Sequence, residues 1–132
     1  MKTPYGSYNL SIDGNIARMR FVGMFNAATT ELFVKEFKVL LEQFGDKPFL
    51  VLGDLLELEG ATPEAYAMIN DFNTWVNTRN MVAKALLIEN KIIAQIARHR
   101  VESVRFQNIR YFSNNDEALA WFEQLQKQQI AS

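Results

Sequence analysis

Two runs in this chain place apolar residues on consecutive positions rather than alternate ones: Phe49-Leu50-Val51-Leu52, and residues 82–88, which are apolar apart from Lys84. Successive side chains of a strand point to opposite faces, so strands of this kind must be covered on both. They read as the inner strands of an α/β sheet. Pro48 precedes the first run, where a missing N–H does no harm. Thr62-Pro63-Glu64 then opens a helix: threonine as N-cap, proline at the first helical position, glutamate beside the positive helix end. Between them, residues 53–60 read as a polar loop.

The remaining segments alternate in kind. Tyr8-Asn9-Leu10-Ser11-Ile12 has strand periodicity, Asp13-Gly14 is the favoured pair for a type I′ hairpin turn, and residues 15–22 read as the partner strand ended by Gly23. Ala17, Met19 and Phe21 share one side of that strand; Arg18 and Arg20 share the other, which is therefore wet. Asn26 caps a helix to about residue 44, with Phe33, Phe37, Leu40 and Phe44 on one stripe and Gly45 as its stop. The helix from Pro63 to about residue 79 buries Ala65, Ile69, Phe72 and Val76, while Tyr66, Met68 and Trp75 widen its apolar arc beyond one core contact. Asn90 caps a short helix over 91–99 that carries Ile92, Ile93 and Ile96. Residues 107–112 read as a strand, and Asn114 with Glu117 opens a last helix burying Ala118, Trp121, Phe122 and Leu125.

The order β-β-α-β-α-β-α-β-α predicts a single α/β domain over residues 1–132: an N-terminal hairpin, then a mostly parallel five-stranded sheet with four main helices. Strands laid in chain order with right-handed crossovers put those helices on one face and leave no switch-point crevice for a nucleotide. The second face of the inner strands then needs another cover: a loop, a displaced helix, a second copy of the chain in a homodimer, or an apolar ligand.

Composition removes several classes of function. With 132 residues and no cysteine, the chain has neither disulfides nor thiolate chemistry and suits a reducing compartment. The first residues lack the apolar core of a secretory signal, and no apolar run approaches the ~20 residues that span a bilayer, so a soluble, cytoplasmic protein is expected. The net charge of −1 hides an asymmetry: residues 76–115 hold seven Lys or Arg, Lys91, Arg98, Arg100 and Arg105 among them, against Glu89 and Glu102. Those four mark a patch for an anionic surface, with at most peripheral membrane contact. Overall basicity and interleaved exposed aromatics are lacking, so nucleic acid is not an expected partner. There is no Gly-rich phosphate loop and no metal-ligand spacing, so no cofactor is expected. His99, between Arg98 and Arg100, has no nucleophile near it in sequence and reads as a helix-end residue. Asp54, Glu57 and Glu59 read as a solvated acidic loop.

Phe21-Val22-Gly23, the segment Leu50-Val51-Leu52-Gly53-Asp54-Leu55, the helix start Gly60-Ala61-Thr62-Pro63-Glu64-Ala65 and, most specifically, Arg110-Tyr111-Phe112 with Glu117-Ala118-Leu119-Ala120-Trp121-Phe122 resemble the SpoIIAA-like (STAS-like) family of small bacterial proteins. The resemblance covers nearly the whole chain. It implies the β/α superhelix shared with anti-sigma-factor antagonists and CRAL-TRIO lipid-transfer domains, and a non-enzymatic binding role. The antagonists carry a phosphorylated Asp-Ser pair at the helix after the central strand; Ala61-Thr62-Pro63 stands here instead, leaving Thr62 as the one hydroxyl that could take its place.

The resulting expectation is a binding module for an apolar or lipid-like small molecule, with a protein–protein regulatory module of the antagonist type as the alternative. The ligand or partner surface is read as Asp54, Thr62, Met68, Phe72, Trp75, Ile92, Ile93 and Ile96.

Overall fold

The computed structural model describes the backbone of residues 2, 3 and 5–131 and the side chains of residues 5–127. Six strands form one sheet in chain order: β1 (Lys2–Thr3), β2 (Gly6–Asp13), β3 (Ile16–Phe25), β4 (Phe49–Ala61), β5 (Met81–Leu87) and β6 (Ile109–Phe112). The five expected strands are all present, and the two-residue β1 is added at the edge. The β1–β2 and β2–β3 pairs are antiparallel and the rest parallel. Four α-helices connect or follow them: α1 (Ala27–Glu42), α2 (Pro63–Val76), α3 (Lys91–Arg100) and α4 (Asn115–Ala131). A 3₁₀ helix (Glu102–Phe106) leads from α3 toward β6.

The helix starts follow the caps read from sequence. Asn26 accepts from Thr29 N–H at 3.0 Å, Thr62 from Ala65 N–H at 3.2 Å and Asn114 from Glu117 N–H at 2.9 Å. Each satisfies a helical donor that would otherwise have no partner.

Three local expectations are corrected. The hairpin loop is Gly14-Asn15, because Asp13 pairs with Ile16; positive φ falls on Gly14 alone, the pattern of a type II′ turn rather than I′. Gly23 does not end β3, which continues to Phe25. The stretch 53–60 is not a loop: β4 runs on to Ala61, paired with β3 through two register shifts. The first of these bulges turns both Leu56 and Glu57 outward while Leu55 and Leu58 are half-buried, so strict alternation is lost there. Asp54 and Glu57 lie beside Arg20 and form ion pairs with it.

The inner strands are buried on both faces, as expected. Phe49 and Val51 join Phe21, Phe33, Phe37 and Phe72 on the face covered by α1 and α2. Phe33 packs edge-on against Phe21 at 4.6 Å and Phe72 at 5.8 Å between ring centroids. Leu50 and Leu52 join Ala83, Ala85, Ala118, Trp121 and Phe122 on the other face. The cover there is α4, a displaced helix in the sense set out above. The need for a ligand or a second subunit on that face therefore falls away: Trp121 and Phe122 close it with residues of the same chain.

Candidate functional site

An apolar cavity of about 120 Å³ lies on the first face, between the sheet and helices α1–α3. Met19 and Phe21 of β3, Leu55 and Leu58 of β4 and Leu86 of β5 line its sheet side. Ile69, Phe72 and Val76 of α2, with Ala94 and Ala97 of α3, line the helix side. Gly53 lets the sheet side close up: a Cβ there would sit 2.7 Å from both Met19 Cε and Leu86 Cδ2. Small Ala94 and Ala97 leave space under α3 that a longer side chain would take.

One cation shares this lining. Lys84 of β5 is only 6 % exposed and points to the cavity face, opposite its neighbours Ala83 and Ala85. Its Nζ donates to Asn73 Oδ1 at 2.7 Å. Asn73 Nδ2 donates to Ile69 O at 2.9 Å, which holds the amide with its oxygen toward the lysine. Gln107 Nε2 donates to the same Asn73 oxygen at 3.1 Å and to Asn77 Oδ1 at 3.0 Å. Asn77 Nδ2 donates to Ser103 O, and Ser103 Oγ and N–H donate to Asn70 Oδ1. Two asparagines of α2, Asn70 and Asn73, and its C-cap Asn77 thus tie that helix to the lysine and to the 3₁₀ segment.

Among the described residues no carboxylate forms an ion pair with Lys84. Burial in apolar surroundings disfavours the charged form and pushes its ammonium down from 10.5 to about 7. The hydroxyl of Thr30, buried on α1 and also part of the lining, has no hydrogen-bond partner among the described residues. Burial also pushes the Tyr66 phenol up, against the opposing charge of Arg100. Arg98 and Tyr111 line the cavity at its exposed edge, with the guanidinium 4.6 Å over the ring and Nε donating to the phenol oxygen at 3.2 Å.

Chemically, a buried lysine of this kind has two uses. As a free amine it attacks carbonyl groups; as an ammonium it holds an anion that few other groups in an apolar cavity would tolerate.

Of the residues read from sequence as a ligand or partner surface, Phe72 lines the cavity, as does Arg98 from the anionic-surface set. Met68, Trp75, Ile92, Ile93 and Ile96 do not; Ile93 is buried and Ile92 and Ile96 are exposed on α3. Trp75 has two cations over its ring, Lys38 and Arg79. Asp54 sits in β4 beside Arg20, and Thr62 caps α2. Lys91 opens α3, Arg100 closes it, and Arg105 lies 3.9 Å from Glu102 in the 3₁₀ helix. Sequence reasoning missed Lys84 and Asn73. The signal was present: a lysine inside a strand that must be covered on both faces cannot reach water, and Asn73 lies next to Phe72 on the buried side of α2. Among the described residues, no group of three His, Asp or Glu is placed to hold a metal ion, and no helix is long and apolar enough to cross a membrane.

No protein-family model and no curated protein matches the sequence. Among solved structures, the chain is similar to an uncharacterised protein of the DUF3478 family with a SpoIIAA-like fold from Shewanella loihica. The TM-score is 0.70 at 16% identity, over 92% of this chain and 98% of that one. It is also similar to the anti-sigma factor antagonist SpoIIAA in its unphosphorylated form, with a TM-score of 0.61 at 8% identity, over 89% of this chain and 98% of that one. The fold is SpoIIAA-like, as the sequence resemblance implied; at these identities the likeness speaks for architecture alone.

Proposed function

We propose that the chain is a non-enzymatic binding module whose ligand is a small apolar molecule held under α2 and α3. The observation that carries this reading is the apolar cavity on the first face, lined by three helices and the sheet, with a buried polar handle inside it. Its size narrows the ligand. An apolar cavity of roughly 150 Å³ accommodates a benzene ring, so about 120 Å³ suits a ring or a short branched chain rather than a long acyl tail. Among the described residues Lys84 Nζ donates to one side chain, the Asn73 amide, which neither gives nor takes a proton.

Methyl NMR of the full chain titrated with toluene tests it. Shifts at Val51, Leu55, Ile69 and Val76, with Leu50 and Ala83 on the other face unmoved, are expected. Ala97→Phe should abolish those shifts by filling the space under α3. An unchanged spectrum at the solubility limit of toluene removes the reading.

A second reading, a regulatory module acting on an acidic protein partner, is favoured by the outer surface of α3 and the 3₁₀ helix. Ile92 is 69 % and Phe106 79 % exposed there, alongside Lys91, Arg100 and Arg105. Large exposed apolar side chains beside cations suit a contact surface. Capture of one acidic protein from source cells, lost with both Ile92→Ser and Phe106→Ser, would sustain it. Capture unaffected by either change would remove it.

A further inference from the structure

Resting on the cavity as a binding site, we infer that its ligand is a compact monocarboxylate, aromatic or short and branched, whose carboxylate accepts hydrogen bonds from Lys84 Nζ while its apolar body fills the space between β4, α2 and α3. Three observations converge. A lysine ammonium has three donors, and the described structure uses one, toward Asn73 Oδ1. Among the described residues the group lies in an apolar lining with no carboxylate as counter-ion, so the charge balance of the site is incomplete. Thr30 Oγ1, buried and unpartnered on the same lining, adds a second polar atom that a ligand could engage.

Replacing a lone buried ammonium with an ion pair changes its energetics. An isolated charge in such surroundings is strongly disfavoured. A carboxylate hydrogen-bonded to it supplies the missing charge, and charge-assisted bonds of this type are the strong ones. Neutral apolar ligands gain the contacts of the cavity but leave the ammonium unmatched. The site should therefore prefer an anionic ring compound over its neutral counterpart, inverting the preference of a purely apolar cavity. Arg98 at the exposed edge is the competing cation. It already stacks on Tyr111 and stands in water, where an ion pair contributes little.

Protonation distinguishes the two. Of the elements around the cavity, α2 contributes Tyr66, α3 contributes Arg98 and β6 contributes Tyr111 as further ionisable groups; α1, β3 and β4 contribute none. Because burial holds the Lys84 ammonium near 7, carboxylate binding must draw a proton onto Nζ once the pH exceeds that value. A carboxylate held at Arg98 draws none.

The test is calorimetric titration of the full chain with benzoate, alongside the toluene titration by NMR, at about pH 6.5 and 8.5. Benzoate is ionised at both. Benzoate should bind at least tenfold more tightly than toluene at the lower pH. Its affinity should fall about twentyfold at the higher pH, following the protonated fraction of Lys84. The heat there should depend on the ionisation enthalpy of the buffer, the mark of proton uptake. Lys84→Met should lose the benzoate preference and keep toluene binding, which doubles as proof of an intact fold. Arg98→Gln should change benzoate affinity less than threefold. The inference is overturned if benzoate binds no better than toluene, if its affinity ignores pH, or if Arg98→Gln abolishes it while Lys84→Met does not. Failure of both ligands would instead remove the binding-module reading on which it rests.

Discussion

The two faces of this sheet receive alternate residues of the same strand and are covered differently. Toward α4, β4 contributes Leu50 and Leu52 against Ala83, Ala85 and Ala118, all three with no exposed surface, and Trp121 and Phe122 close the layer. Small residues let the helix approach the sheet closely. Toward α1–α3, β4 contributes Phe49 and Val51, the layer is filled by phenylalanines, and a cavity holding Lys84 remains. One face is packed closed; the other keeps an apolar space. The strand is common to both, so the difference lies in what is packed on it.

The sharpest way to break this comparison is truncation on each side. Phe122→Ala, on the closed face, should cost about 3–5 kcal/mol in urea unfolding, the range for large aromatic deletions in a core. Leu55→Ala, half-buried on the cavity lining, should cost less than half of that, since fewer contacts are lost. Equal costs would mean the cavity face is packed as tightly as its opposite.

Next in size is Lys84→Met, which should stabilise the protein by about 1–4 kcal/mol near pH 6, as when a buried ionic group gives way to a hydrophobe. The sign follows from the depressed ammonium. Between about 7 and 10.5 the unfolded chain binds more protons than the folded one, so the stability of the unaltered protein rises with pH across that window. The advantage of the variant is therefore full below pH 7 and shrinks toward 10.5. A gap independent of pH would place Lys84 in water.

A smaller effect compares the helices on the two faces. Thr62→Ala at α2 and Asn114→Ala at α4 each remove a cap worth ~1 kcal/mol. Amide exchange should quicken in the first turn of the affected helix only. The smallest effect is expected at Arg20→Gln, an exposed position of β3. Its partly exposed pairs with Asp54 and Glu57 should be worth about 0–1 kcal/mol and weaken further in salt.

Much of the architecture was readable from local pattern. The alternation in residues 8–12, the phenylalanine spacing in α1 and the caps at Asn26, Thr62 and Asn114 each act within a few residues, and each stands in the structure. The second half of β4 was not readable, because a bulge puts Leu56 and Glu57 on the same outward side and erases the period-two signal. The candidate site was readable only in part. Phe72 sits on a legible stripe, whereas Lys84 was counted as one more charge of a basic segment. Its burial depends on β4 and β6 flanking β5 and on α2 lying above it.

By itself, the order of residues determined that two inner strands would be sheathed on both sides, that helices would separate them and that, for strands laid in chain order, the helices linking them would share one face. These are consequences of side-chain periodicity and the handedness of crossovers. Tertiary structure alone decided which face α4 would take. Its apolar stripe requires burial against a sheet but names no face, and among the described residues α4 does not lie between two strands whose crossover would fix one. That choice closed the second face and left the cavity, with its lysine, on the first.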